Sequence, residues 1–198
     1  YSQGDVAHAK EIVQDYIDRK FANSNVKFLE NERVQLTDKT DLLACTLWTD
    51  MNKGDPEALW SVGRMMNDFY QCNYKGKAFT TKDAADIFAD SKKFLSNELI
   101  DTSKSFVVMT HHCPSFNSIA PHFKGDIMNY GYASELDDFV MMHPHITHWV
   151  HGHTHHNVKY EIGHTKILGN MRGYPPGPFN NREDNWTGFK ANKFFEVK

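Results

Sequence analysis

At 198 residues the chain is long enough for one sizeable core and short for two. Hydrophobic content of 40 % and aromatic content of 13 % exclude a disordered tail, and a net charge of −3 excludes a general pull toward nucleic acid or anionic membranes. No apolar run approaches the ~20 residues that span a membrane, and Cys45, Cys72 and Cys113 are too few and too scattered for a disulfide framework, so a cytoplasmic protein is expected.

In chain order, Val6, Ala9, Ile12, Val13, Tyr16 and Ile17 fall at helical spacing and predict a helix over 5–21, with Asp5 as its cap. Short β-like runs follow at 26–29, 33–36 and 42–48. Asp55 and Pro56 open a helix that the apolar spacing carries to Phe69. Thr80 and Asp83 form a capping-box pattern ahead of a helix with Ala84, Ile87, Phe88, Ser91, Phe94 and Leu95 on one face. A strand is predicted over 106–110, then a polar loop to about Tyr132, then a short helix to Met142 with Ser134 as its cap and Pro144 as its stop. The last third is β-like at 146–150, 158–162, 166–168 and 193–197. Interleaved strands and helices with no repeat or linker predict a single layered α/β domain.

Chemistry concentrates where two of these strands end. Eight of the twelve histidines lie between His143 and His164, and His-Gly-His-Thr-His occupies 151–155. In an extended segment residues i and i+2 share a face, so His153 and His155 are predicted to reach one small volume, with Gly152 clearing room beside them. The strand over 106–110 ends in His111-His112-Cys113-Pro114, and alternation predicts that one of His111 and His112 joins the cluster. Three imidazoles suit a borderline divalent ion. A tetrahedral zinc site of His111, Cys113, His153 and His155 is the alternative, with Cys113 as a buried small hydrophobe the reading against it.

Thr46-Leu-Trp-Thr-Asp50, Met66-Asn-Asp-Phe69, Val107-Val-Met-Thr-His-His-Cys-Pro-Ser115, Tyr132-Ala-Ser-Glu-Leu136, Trp149-Val-His-Gly-His-Thr-His155 and Asn170-Met-Arg-Gly-Tyr174 run in an order that resembles the calcineurin-like metallophosphoesterase family. The match is to the C-terminal portion of its small bacterial and phage members. The resemblance implies a β-sandwich flanked by helices, here without its first strands and helix. It also implies hydrolysis of a phosphomonoester or phosphodiester by a hydroxide bridging two divalent metals, drawn from Mn, Fe, Zn, Ni and Mg, with Mn favoured.

By position His111 and His153 would ligate one ion and His155 the other, while His112 and Arg172 would face the phosphate ester. The Asp-x-His, Gly-Asp-x-x-Asp and Gly-Asn-His-Asp/Glu blocks have no counterpart, so the bridging acid and the general-acid histidine are expected upstream of Tyr1. The chain then supplies the histidine half of a site whose other half is a missing N-terminal partner, and alone it is expected to be inactive or weakly active. Nucleic acid enters only as a possible substrate. The loop over 173–188 is a candidate lining for the substrate entrance.

Overall fold

The computed structural model describes residues 4–174 and 188–197. Asp5 caps a 3-10 turn, Val6–His8, by accepting the Ala7 N–H at 2.9 Å, and helix α1 (Ala9–Lys20) follows. Strands β1 (Glu32–Gln35) and β2 (Thr40–Cys45) come next. The strand expected over 26–29 does not form; there the Phe28 N–H turns to the Gln14 side chain of α1, at 3.4 Å. Nor does β2 reach Trp48, because Leu47 and Trp48 take left-handed φ values of 72° and 57°, which no strand accommodates.

A single turn, α2 (Met51–Gly54), precedes α3 (Pro56–Met65), whose first turn is capped by Asp55 at 2.9 Å from Ala58 N. The helix expected to reach Phe69 breaks at Met66, which is extended (φ −94°, ψ 128°), and restarts as α4 (Asp68–Gln71). Strands β3 (Asn73–Tyr74) and β4 (Lys77–Ala78) form a hairpin across Lys75 and Gly76, both at positive φ as a tight primed turn requires. Helix α5 (Thr81–Glu98) carries both halves of the Thr80/Asp83 capping box. Then come β5 (Ser105–Thr110), a loop of 3-10 turns, α6 (Asp137–Met141), β6 (Ile146–His151), β7 (Val158–Ile162) and β8 (Thr165–Gly169). Ser134 does not cap α6: its Oγ instead accepts the Asp50 N–H at 3.0 Å. Residues 193–197 form no strand and are held by contacts such as the Phe195 ring stacked on His148.

Six strands make one sheet in the order β1-β2-β5-β6-β8-β7, with β2, β5, β6 and β8 parallel and an antiparallel strand at each edge. The described residues thus form one six-stranded sheet and the separate β3–β4 hairpin, where the resemblance implies a sandwich of two sheets. Register aligns Leu43, Val108, Trp149 and Ile167 in a row across the four parallel strands. All four are fully buried and share one cluster with Val62 of α3 and Phe88 and Leu95 of α5. That row lies on the face of the sheet that packs against the helices.

Behind the sheet, Arg33 meets Asp41 at 2.8 Å, Asp101 at 2.9 Å and Glu98 at 3.2 Å, tying β1 and β2 to the end of α5. The Ser103 hydroxyl and then Arg33 hold the Asp101 carboxyl down at about 2. A folded value below the unfolded one gives stability that is present above about pH 4 and lost as pH falls toward about 2. Asp101→Asn is therefore expected to flatten the acid limb of a urea-midpoint profile across that window. An unchanged limb would show that another carboxylate controls it.

Candidate metal centre

Parallel register brings the carboxyl ends of β2, β5, β6 and β8 to one edge of the sheet, the edge at which open α/β sheets bind ligands. The loops leaving that edge carry the motif residues, and backbone hydrogen bonds lace them together. Thr46 O accepts the N–H of His111 at 3.3 Å and of His112 at 3.2 Å, and His111 O accepts the Gly152 N–H at 3.1 Å. A methyl added at Gly152 would lie 3.4 Å from His111 Nδ1, so anything larger would press on that ring.

His153 and His155 do not leave the strand extended. Their φ values are 73° and 47°, so the shared-face argument fails, and a left-handed turn aims the rings instead. Non-glycine residues in that region cost about 1–2 kcal/mol each, and such strain gathers at functional sites. The alternation expected of His111 and His112 fails too, because β5 ends at Thr110 and the chain bends. Both rings reach His153, with centroids 4.7 Å and 4.4 Å away.

The tightest approach is His153 Nδ1 to His111 Nε2, at 3.0 Å. Two nitrogens bound to one tetrahedral zinc at about 2.0–2.1 Å lie about 3.3–3.4 Å apart, so this pair is a few tenths of an ångström from a shared-ion geometry. His112 is buried, stacked on Trp48 at 4.9 Å, with Nδ1 3.3 Å from Thr46 O. The Tyr132 ring packs on His153 at 4.7 Å. Among the described residues, the buried His112 Nε2 and His153 Nε2 find no hydrogen-bond partner. An orphaned buried nitrogen is costly, and a bound cation or phosphoryl group would relieve it.

Burial, followed by repulsion from neighbouring imidazoles, pushes His111 down, His112 to about 3 and His153 well below the usual histidine range. Burial thus favours the neutral form of these rings, and in the 3.0 Å contact one of His111 Nε2 and His153 Nδ1 carries the proton that a shared ion would displace. The His155 ring meets Tyr174 edge-on at 4.6 Å. Arg172 is exposed on the segment that follows β8. Among the described residues no set of three or more His, Cys, Asp or Glu side chains converges to hold an ion. The donor set fits a divalent metal as a histidine pair, without the oxygen ligands that complete a centre. Residues 175–187 of the predicted entrance loop lie outside the described residues.

A second network lies beneath the first and carries no sequence signal. Tyr160 OH is 2.7 Å from Ser118 Oγ, which is 2.8 Å from His151 Nε2, and His151 Nδ1 is 3.0 Å from Gly152 O. One proton arrangement satisfies them all: tyrosine donates to serine, serine to Nε2, and Nδ1–H to the Gly152 carbonyl. The network therefore holds the residue on which His153 turns. Cys113 Sγ lies 3.4 Å from His151 Nδ1, and burial pushes its thiol up to about 12. So placed, Cys113 is packed in this network, and the described residues do not assemble the His/Cys zinc set. Glu30, also unmarked in sequence, accepts the Thr46 N–H at 3.0 Å and so steadies the carbonyl that orients His112.

No family model matches the chain. It is 24 % identical over 161 residues to an uncharacterized protein of Acanthamoeba polyphaga mimivirus, an alignment that covers 76 % of this chain and 55 % of that one. Among solved structures it is similar to the phosphopantetheinyl hydrolase of Mycobacterium tuberculosis, with a TM-score of 0.55 and 13 % identity over 81 % of this chain and 60 % of that chain. At this identity the likeness shows a shared fold and nothing further. The chain spans a little over half the length of either protein.

Proposed function

We propose that the chain contributes the histidine half of a metal-dependent phosphoesterase acting on a phosphomonoester or phosphodiester. The observation that carries the reading is the 3.0 Å approach of His111 Nε2 and His153 Nδ1 at the ligand-binding edge of the sheet. The shared fold with a hydrolase supports it. His111 and His153 would hold one divalent ion and His155 a second, with Mn the first choice among Mn, Fe, Zn, Ni and Mg. Such ions supply Lewis acidity, activating water near neutral pH and offsetting charge on phosphoryl oxygens.

The chain's own residues do the rest. Gly152 keeps the approach to His111 clear, and the His151–Ser118–Tyr160 network fixes the turn that aims His153. Trp48 and Tyr132 cover ring faces of His112 and His153 and exclude water from them. Arg172 would bind phosphoryl oxygens through its planar fork, and His112 would face the same group. Carboxylate ligands and the general acid would come from the segment that the resemblance places before Tyr1.

The test is an assay with Mn²⁺ on a generic aryl monoester and a generic diester, made on the chain alone and with that upstream segment supplied. With the segment supplied, turnover that is abolished by a chelator and restored by Mn²⁺ is expected, and little or none from the chain alone. Turnover indifferent to chelation, or none with any of the five metals, would overturn the reading.

A further inference from the structure

The segment that leaves β2 continues past Trp48 into a second unusual feature. Met51, Asn52, Lys53 and Gly54 have φ values of 50°, 55°, 60° and 78°, a full left-handed turn closed by Gly54 N to Asp50 O at 2.8 Å. L-residues visit this region singly, since Cβ crowds the following carbonyl, and consecutive non-glycine residues compound that steric cost. Met51 is buried and anchors the turn, whereas Asn52 and Lys53 are exposed, so packing of their side chains does not account for the conformation.

What the turn does is present Lys53 to a groove of about 600 Å³ against α5. Lys92 and Lys93 of α5 line that groove with Lys53, and so does Asp50. Among the described residues the ion pairs of lysine are those of Lys10, Lys82 and Lys104; none involves Lys53, Lys92 or Lys93. Three ammonium groups against one carboxylate leave two positive charges. Ala85, Phe88 and Ala89, one turn apart on α5, add an apolar part to the lining.

We propose that this groove binds a phosphorylated, hydroxyl-bearing small molecule. The three lysines hold the phosphate as point charges, the carbon skeleton lies on the alanine and phenylalanine part of the lining, and Asp50 accepts from a hydroxyl. The strained turn is retained because it places Lys53 opposite Lys92 and Lys93.

Ribose 5-phosphate is the probe, titrated calorimetrically into the protein with a chelator present so that no turnover intervenes. It should bind more tightly than inorganic phosphate. Affinity should fall at least tenfold in Lys53→Gly and in the Lys92→Gln/Lys93→Gln double variant, and stay unchanged in Lys166→Gln. It should also stay unchanged in His153→Ala, which separates this site from the histidine cluster. Lys53→Gly should unfold at an equal or higher temperature, because glycine takes a φ of 60° without a Cβ clash. No binding, equal affinity in the lysine variants, an equal loss in Lys166→Gln, or binding no tighter than phosphate would overturn the proposal.

Discussion

His153→Ala is expected to lower chelator-sensitive phosphoesterase turnover by at least about 100-fold. Residues that merely support a metal ligand cost about 10–100-fold when removed, and a ligand costs no less. The His153 ring lies at the middle of the cluster, 3.0 Å from His111 through its nitrogen and packed between His112 and Tyr132. Alanine keeps the Cβ and therefore the left-handed strain at φ 73°, so the variant removes the donor without relaxing the turn. The fold should survive, since the change also removes a buried nitrogen that has no partner among the described residues. A loss smaller than about tenfold in kcat/KM would show that His153 is not a ligand.

Trp149→Ala is expected to cost about 3–5 kcal/mol of stability, read from urea unfolding. Trp149 is fully buried at the centre of the four-strand row, between Val108 on one side and Ile167 on the other. Its indole N–H donates to Thr110 Oγ1 at 3.0 Å, and that hydroxyl donates to His112 O at 2.7 Å. Removing the indole therefore loosens the strand end that carries the histidines as well as the core. Trp149→Phe keeps most of the burial and loses the hydrogen bond, and should cost about 1–2 kcal/mol. An alanine variant destabilised by less than about 1 kcal/mol would mean that the site collapses around the missing ring.

Central strands and capped helices were legible because their causes are local. Apolar and β-branched residues mark β5 and the Ile146 and Trp149 positions of β6, and Thr80 with Asp83 marks the start of α5 within four residues. What escaped was set by partners distant in sequence. The run over 26–29 has the composition of a strand, but Phe28 finds Gln14 instead of a ladder. Ser134 has the chemistry of a cap but serves Asp50, 84 residues away. At the site, residue type and spacing marked His111, His153 and His155, whereas their aim depends on positive φ values that composition does not announce. His151 was marked as part of His-Gly-His-Thr-His but given no role; that role appears once Ser118 and Tyr160 arrive from 33 and 9 residues away.

In the proposed centre His111 and His153 share one divalent ion. That sharing is tested most directly by titrating Mn²⁺ and following the free-ion electron paramagnetic resonance signal in the wild type, His111→Ala and His153→Ala. The pair predicts that each substitution alone weakens the same binding step by at least about tenfold, and that the double variant is little worse than either single one. Mn²⁺ affinity equal in all four proteins, or two losses that simply add, would contradict a shared ion.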